Sequence, residues 1–169
     1  MVKIKMNSNI QIAGFKHKVI DFIDLMGKVK SINKNCTVQL LNADGIAGYE
    51  HILHATVHAI KAFNRNENIA KDLGIEICVR ASAQRQISKA LDILGIKERE
   101  MRICVVTVGC NKNIMDKLEL LLDKRADEVL DSDENNLKVI YDISNKELKT
   151  VGSIEKVMIE KTSLLILET

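Results

Sequence analysis

The sequence predicts an α/β fold: a single compact domain, residues 1–169, with a mixed β-sheet packed by several α-helices. Two observations carry the single domain. A chain of 169 residues with 46% hydrophobic content buries one substantial core without needing disulfides. It has no proline and eight glycines, so no flexible linker, repeat or low-complexity tract divides it. The α/β class comes from order: apolar strand-like runs IEICVRA and RICVVTVG are each followed by a segment of helical period.

Taken in order, Val2–Met6 and Ile10–Gly14 are short extended segments joined by a turn at MNSN. Phe15, Val19, Phe22, Ile23 and Met26 recur at helical spacing and predict a helix to about Lys30. Thr37–Leu41 is a strand ended by Asn-Ala-Asp-Gly, whose Asp44 is placed to cap the next helix, which runs to about Asn64. A short helical piece at Ile69–Leu73 stops at Gly74, and IEICVRA follows as a strand. Ser82 then caps a helix that buries Ile87, Ala90, Leu91 and Leu94 and closes at Gly95. RICVVTVG is a strand and NIMDKLELLLDK an amphipathic helix. Beyond the turn-like DSDENN, Leu137–Tyr141 reads as a strand, Asn145–Leu148 as a short helix, and Ser153 as the cap of a last helix.

Composition excludes some functions. Twenty-five basic and 23 acidic residues leave a net charge of +2, too balanced for a globally basic nucleic-acid binder, so any such role rests on local clustering. No apolar h-region follows Lys3 and Lys5, and no stretch approaches membrane-spanning length, which predicts a cytoplasmic protein with no membrane association. Cys36, Cys78, Cys104 and Cys110 form no CxxC, and three lie in or beside apolar runs, so reduced, mostly buried thiols are expected.

The segment HILHATVHAIKAFNR holds the densest chemistry. At 100° per residue, His51, His54, His58, Lys61 and Arg65 fall within an arc of roughly 80°, opposite Tyr49, Ile52, Leu53, Ala59, Ile60 and Phe63. His54 and His58 have metal-binding i,i+4 spacing, but Ala55 stands where an HExxH metalloprotease has glutamate, and Lys61 and Arg65 repel a cation. A solvated face and an anion-binding face remain. Imidazoles stack on bases and donate to phosphate, and the fixed cations attract it. A second basic group, Arg80 at a strand end with Arg85 and Lys89 beside a helix opened by Ser82, adds to the anion reading. VTVGCNKN lacks the phosphate-cradling Gly-x-x-x-x-Gly-Lys pattern, and Cys110 has no histidine or carboxylate near it in sequence. The last helix carries Ile154, Val157, Met158, Leu164 and Leu165 on one side and Ile159 with Ile166 about 100° away. One core does not use two apolar flanks, which points to a partner surface or a more complete core.

The runs NADGIAGYEHILHATVHAIKAF, IEICVRASAQRQISKALDILGI, VVTVG and DISNKELKTVGSIEKVMIEKTSLLIL, in that order, resemble the small regulatory subunit of the KEOPS tRNA-modifying complex, the family of the PRPK-binding protein TPRKB. The likeness spans about Val38 to Leu167 and rests on Asn42-Ala43, Ala47-Gly48, Ala81-Ser82 to Gln86-Ile87 and Glu147-Leu148. It implies a non-enzymatic, archaeal-type protein with no cofactor. Such a protein binds the kinase-like ATPase of KEOPS, associates through it with the threonylcarbamoyl transferase, and recruits tRNA by its 3′ CCA end. On that resemblance His54, His58, Lys61, Arg65, Arg80 and Arg85 are the RNA-binding candidates. Ile154, Val157, Met158, Lys161 and Leu165 are the candidates for the ATPase-binding side. A metal-dependent enzyme using the histidine helix and a purely protein-binding scaffold are the competing readings.

Overall fold

The structure, a computed structural model, describes residues 8–165. Its sheet contains β1 (Ile10–Lys18), β2 (Thr37–Asn42), β3 (Glu100–Val108) and a two-residue β4 (Lys124–Arg125) in the order β2-β3-β1-β4. All pairings are antiparallel, where a mixed sheet is expected from sequence. Among the described residues eight helices surround it: α1 (Phe22–Ile32), α2 (Tyr49–Arg65), α3 (Leu73–Ser82), α4 (Ile87–Leu94), α5 (Ile114–Leu122), α6 (Glu134–Tyr141), α7 (Asn145–Val151) and α8 (Ile154–Leu164). The strand expected at Val2–Met6 and the flank residue Ile166 lie outside the described residues.

Alternation along the strands builds two layers. Ala13, Phe15, Val38, Leu40, Ile103 and Val105 meet Leu25 and Val29 of α1 and Leu118 and Leu122 of α5. Leu41, Cys104 and Val106 meet Ile52, Ala55 and Ile60 of α2, Ile77 of α3 and Leu94 of α4 on the other face. Leu137, Ile143, Ile154, Val157 and Met158 join Ala47 in a smaller cluster under the C-terminal helices. Gly14 of β1 has no room for a side chain: a Cβ there would stand 2.7 Å from the Ala126 carbonyl oxygen. That approach lets Ala126 N–H donate to Gly14 O at 2.7 Å and Gly14 N–H donate to Asp127 Oδ1 at 3.0 Å.

Five expectations are corrected. Phe15 belongs to β1, and α1 starts only after Asp21, whose side chain accepts from Asp24 N–H. The run IEICVRA is α3, opened by Asp72 accepting from Ile75 N–H, with Gly74 in its first turn rather than at a helix end. Nearly all of α3 is buried, so its apolar residues occupy most of its circumference and form no single amphipathic stripe to distinguish it from a buried strand. Leu137–Tyr141 belongs to α6, capped by Asp133, with Leu137 buried and Val139 81% exposed. Asp44 does not cap α2; it sits in a short 3₁₀ turn, and α2 starts at Gly48, φ +118°, without a side-chain cap. Cys36 and Cys110 form a disulfide, which ties the start of β2 to the loop after β3, while Cys78 and Cys104 are the free, buried thiols expected. Burial pushes both free thiols up to about 12.

Candidate nucleic-acid interface

The histidine stripe divides by depth. His51 is fully buried: Ala47 N–H donates to its Nδ1 at 2.9 Å, which leaves Nε2–H to donate to Ala81 O at 2.9 Å. It therefore joins the loop before α2 to the end of α3 and does not face solvent. Burial, opposed in part by the Ala81 bond, lowers it to about 4, so it is neutral near pH 7. His54 is half-buried against α8, where the Ser163 hydroxyl donates to Ile159 O and His54 Nε2–H donates to Ser163 Oγ at 2.9 Å. The His58 ring lies 4.3 Å from that of His54, centroid to centroid. Its Nδ1 is buried with no hydrogen-bond partner among the described residues. Desolvation first, then His54, Lys61, Arg80 and Arg65, lower His58 to about 4.

Arg80 differs most from its expected setting. It lies in the last turn of α3, not at a strand end, and is 4% exposed. Glu76, one turn earlier, takes Arg80 Nε at 2.9 Å and Nη2 at 2.8 Å on Oε1, and on Oε2 accepts the N–H groups of Ile69 and Ala70 at 2.9 and 2.7 Å. Glu76 thus uses both carboxylate oxygens, while Arg80 also reaches Glu67 O through Nη2. Ser82 is buried at the end of α3, and its hydroxyl donates to Val79 O, so it opens no helix. The free ends near it are carbonyls, which do not attract phosphate. Arg85 is exposed and donates from Nη1 to Leu165 O at 3.2 Å.

These residues converge on a cleft of about 100 Å³ between α2 and α3, lined by His58, Lys61, Ala62, Arg65, Glu67 and Arg80. Four of the six RNA-binding candidates stand here. His54 adjoins them through its ring contact with His58, and Arg85 sits apart at the end of the described C-terminal segment. Larger hollows lie elsewhere, including one of about 420 Å³ beside the Cys36–Cys110 bridge, but its charged lining is two lysines. Among the described residues no three of His, Cys, Asp or Glu are placed to hold a metal ion, and no helix is long and apolar enough to cross a membrane.

The expected partner surface is also corrected. Ile154, Val157, Met158 and Leu165 are buried in the protein's own core, and of the five candidates Lys161 alone reaches the surface, where it pairs with Glu147 at 3.3 Å. Sequence reasoning missed Glu76, Thr162 and Ser163. Thr162 donates to Arg80 O at 2.9 Å, so α8 braces the site from behind. Glu76 was visible in principle as an i,i+4 partner of Arg80, a spacing that belongs to helices and not strands.

The described residues form an antiparallel α/β domain with helices on both faces of its sheet and a cationic cleft between α2 and α3. The chain belongs to the family described as kinase binding protein CGI-121, whose match covers residues 17–165. It is 32% identical over 136 residues to a protein of Methanocaldococcus jannaschii named regulatory protein Cgi121, covering 80% of this chain and 88% of that one. It is 30% identical over 106 residues to the KEOPS complex subunit Cgi121 of Pyrococcus abyssi, covering 63% and 59% respectively.

Proposed function

We propose that this chain is a non-enzymatic, cytoplasmic regulatory subunit of a KEOPS-type assembly. It binds the kinase-like ATPase and recruits tRNA by its 3′ CCA end, in support of threonylcarbamoyl modification of adenosine. The ATPase half of the reading is supported by the family description and the name of the Pyrococcus abyssi relative. The RNA half is supported by one observation: Lys61, Arg65 and Arg80 line a single cleft opposite Glu67, with Glu76 behind it taken up by Arg80. Fixed cations concentrated in a chain of nearly balanced charge give local attraction for a phosphate backbone. His54 and His58, neutral and planar, are suited to lie against an unstacked terminal base. On this reading Ile154, Val157, Met158 and Leu165 hold α8 in place, and Lys161 is the member of that set an ATPase can touch.

The deciding experiment compares binding of intact tRNA with that of the same tRNA lacking its CCA end. A large loss for the truncated RNA is expected, and equal binding would overturn the terminal-end reading. Replacing Lys61 and Arg65 together by Ser should weaken binding of intact tRNA at low salt with folding preserved. Unchanged affinity would remove Lys61 and Arg65 from the RNA-binding set, and no binding of tRNA by the wild-type protein would leave the chain a purely protein-binding scaffold.

A further inference from the structure

We propose that the cleft between α2 and α3 is a seat for a single phosphate group, and that His58 takes up a proton as the phosphate enters. This deepens the RNA reading and depends on it only for what carries the phosphate.

Size selects the ligand class. A cleft of about 100 Å³ has room for one tetrahedral oxyanion. Preorganisation comes from Glu76 and the Glu67 carbonyl, which hold the Arg80 guanidinium by Nε and Nη2. Nη1 makes no hydrogen bond among the described residues. A guanidinium fixed in this way meets a phosphate oxygen with little ordering cost. Glu76 accepts three hydrogen bonds and makes an ion-pair contact with Nη2, so both of its oxygens are engaged in fixing Arg80 and the turn before α3.

The proton follows from the unmet nitrogen. His58 Nδ1 is buried without a partner, and a bare lone pair there costs less than an orphaned N–H. Facing the ring are His54, Lys61 and Arg65 from its own helix and Arg80 from α3. Glu67 lies across the cleft, and on the α8 side the neutral Ser163 holds His54. The fixed charges that act on His58 are the cations Lys61, Arg80 and Arg65; Glu76 pairs with Arg80 and Glu67 lies across the cleft, so the remaining positive excess makes the empty cleft unfavourable to imidazolium. A phosphate reverses the local potential in the cleft that His58 lines, so the imidazolium is no longer disfavoured once the cleft is filled. By linkage, whatever protonates His58 tightens phosphate binding by the same factor.

The test is calorimetric titration of the full chain with a short single-stranded RNA ending in CCA and bearing a 5′ hydroxyl, so that no ligand phosphate titrates. It is run at pH 7.5 and 5.5 in buffers of differing ionisation enthalpy, with inorganic sulfate as a parallel ligand. The His58 imidazole resonances of the wild-type protein are followed by NMR with and without RNA, assigned by their absence in His58→Gln. Affinity for RNA should rise roughly fivefold from pH 7.5 to 5.5, with proton uptake and a His58 titration moved upward by the RNA. His58→Gln should flatten the pH profile. RNA binding without proton uptake, or with an unmoved His58 titration, would overturn this inference and leave the RNA reading standing. Sulfate binding with proton uptake but no RNA binding would do the reverse. No binding of either ligand would overturn both.

Discussion

His51 commits both ring nitrogens to backbone groups, and its depressed proton affinity ties stability to pH. Folded, it titrates near 4; unfolded, near the ordinary 6.5, so between those values the unfolded chain binds more protons. Its contribution is complete above about pH 6.5 and is lost as pH falls toward 4, amounting to about 3 kcal/mol. His58 acts in the same direction and, being partly exposed, more weakly. Urea denaturation at a series of pH values should show stability falling through this window, and His51→Gln should reduce the slope. A slope unchanged in that variant would refute the assignment. The Glu76–Arg80 pair yields a second residue-scale expectation. Arg80→Met leaves a buried carboxylate unpaired and should cost about 3 kcal/mol. Glu76→Gln should also be costly, because the same carboxylate closes the Ile69 and Ala70 N–H groups. Equilibrium unfolding of both variants checks these costs. Lys61 and Arg65 were legible from helical spacing because α2 has one wet face. The depth of His51 and Arg80 was not, since it depends on α3 and α8, which cover them from distant parts of the chain.

At the scale of elements, local signals were reliable where they were physically complete. The strands Thr37–Asn42 and Glu100–Val108, the helix closed by Gly95 and the helix capped by Ser153 follow from period and cap together. The failures, α3 and α6, are short helices whose apolar runs also suit strands. Their caps were the overlooked information: Asp72 lies three residues before Ile75 and Asp133 three before Asn136, each accepting that residue's N–H. Asp72→Ala should therefore cost about 1 kcal/mol, read by thermal or urea unfolding, because the first turn of α3 loses its acceptor. Gly14→Ala should cost about 1–3 kcal/mol, because the new methyl would push the Ala126–Val129 segment off β1. An unchanged unfolding midpoint for either variant would contradict these roles.

For the whole molecule, the Cys36–Cys110 bridge spans 74 residues of sequence and links opposite ends of a segment holding β2, α2, α3, α4 and β3. Closing a loop of that length in the unfolded chain contributes about 2–4 kcal/mol. Replacing both cysteines by Ser, or adding dithiothreitol, should lower the melting temperature by roughly 5–15 °C. Equal melting of the oxidised and reduced protein would exclude that role. Sequence alone pointed to reduced thiols because pairing depends on which loops the sheet order brings together, and spacing is silent on that. The α/β class was legible from composition and order, but strand direction was not. Once IEICVRA is a helix, β3 follows three helices and pairs with β2 from the opposite direction.

The hydrogen bonds from α8 to the cleft residues set a timetable. Thr162 holds the Arg80 carbonyl, Ser163 receives His54, and Leu165 receives Arg85, so the last of the eight helices in chain order finishes a surface whose other parts come from α2, α3 and the loop after α3. During synthesis the histidines and arginines emerge from the ribosome some eighty residues or more before the groups that brace them. A growing chain therefore carries the cations without the geometry, and the cleft is braced only when α8 docks.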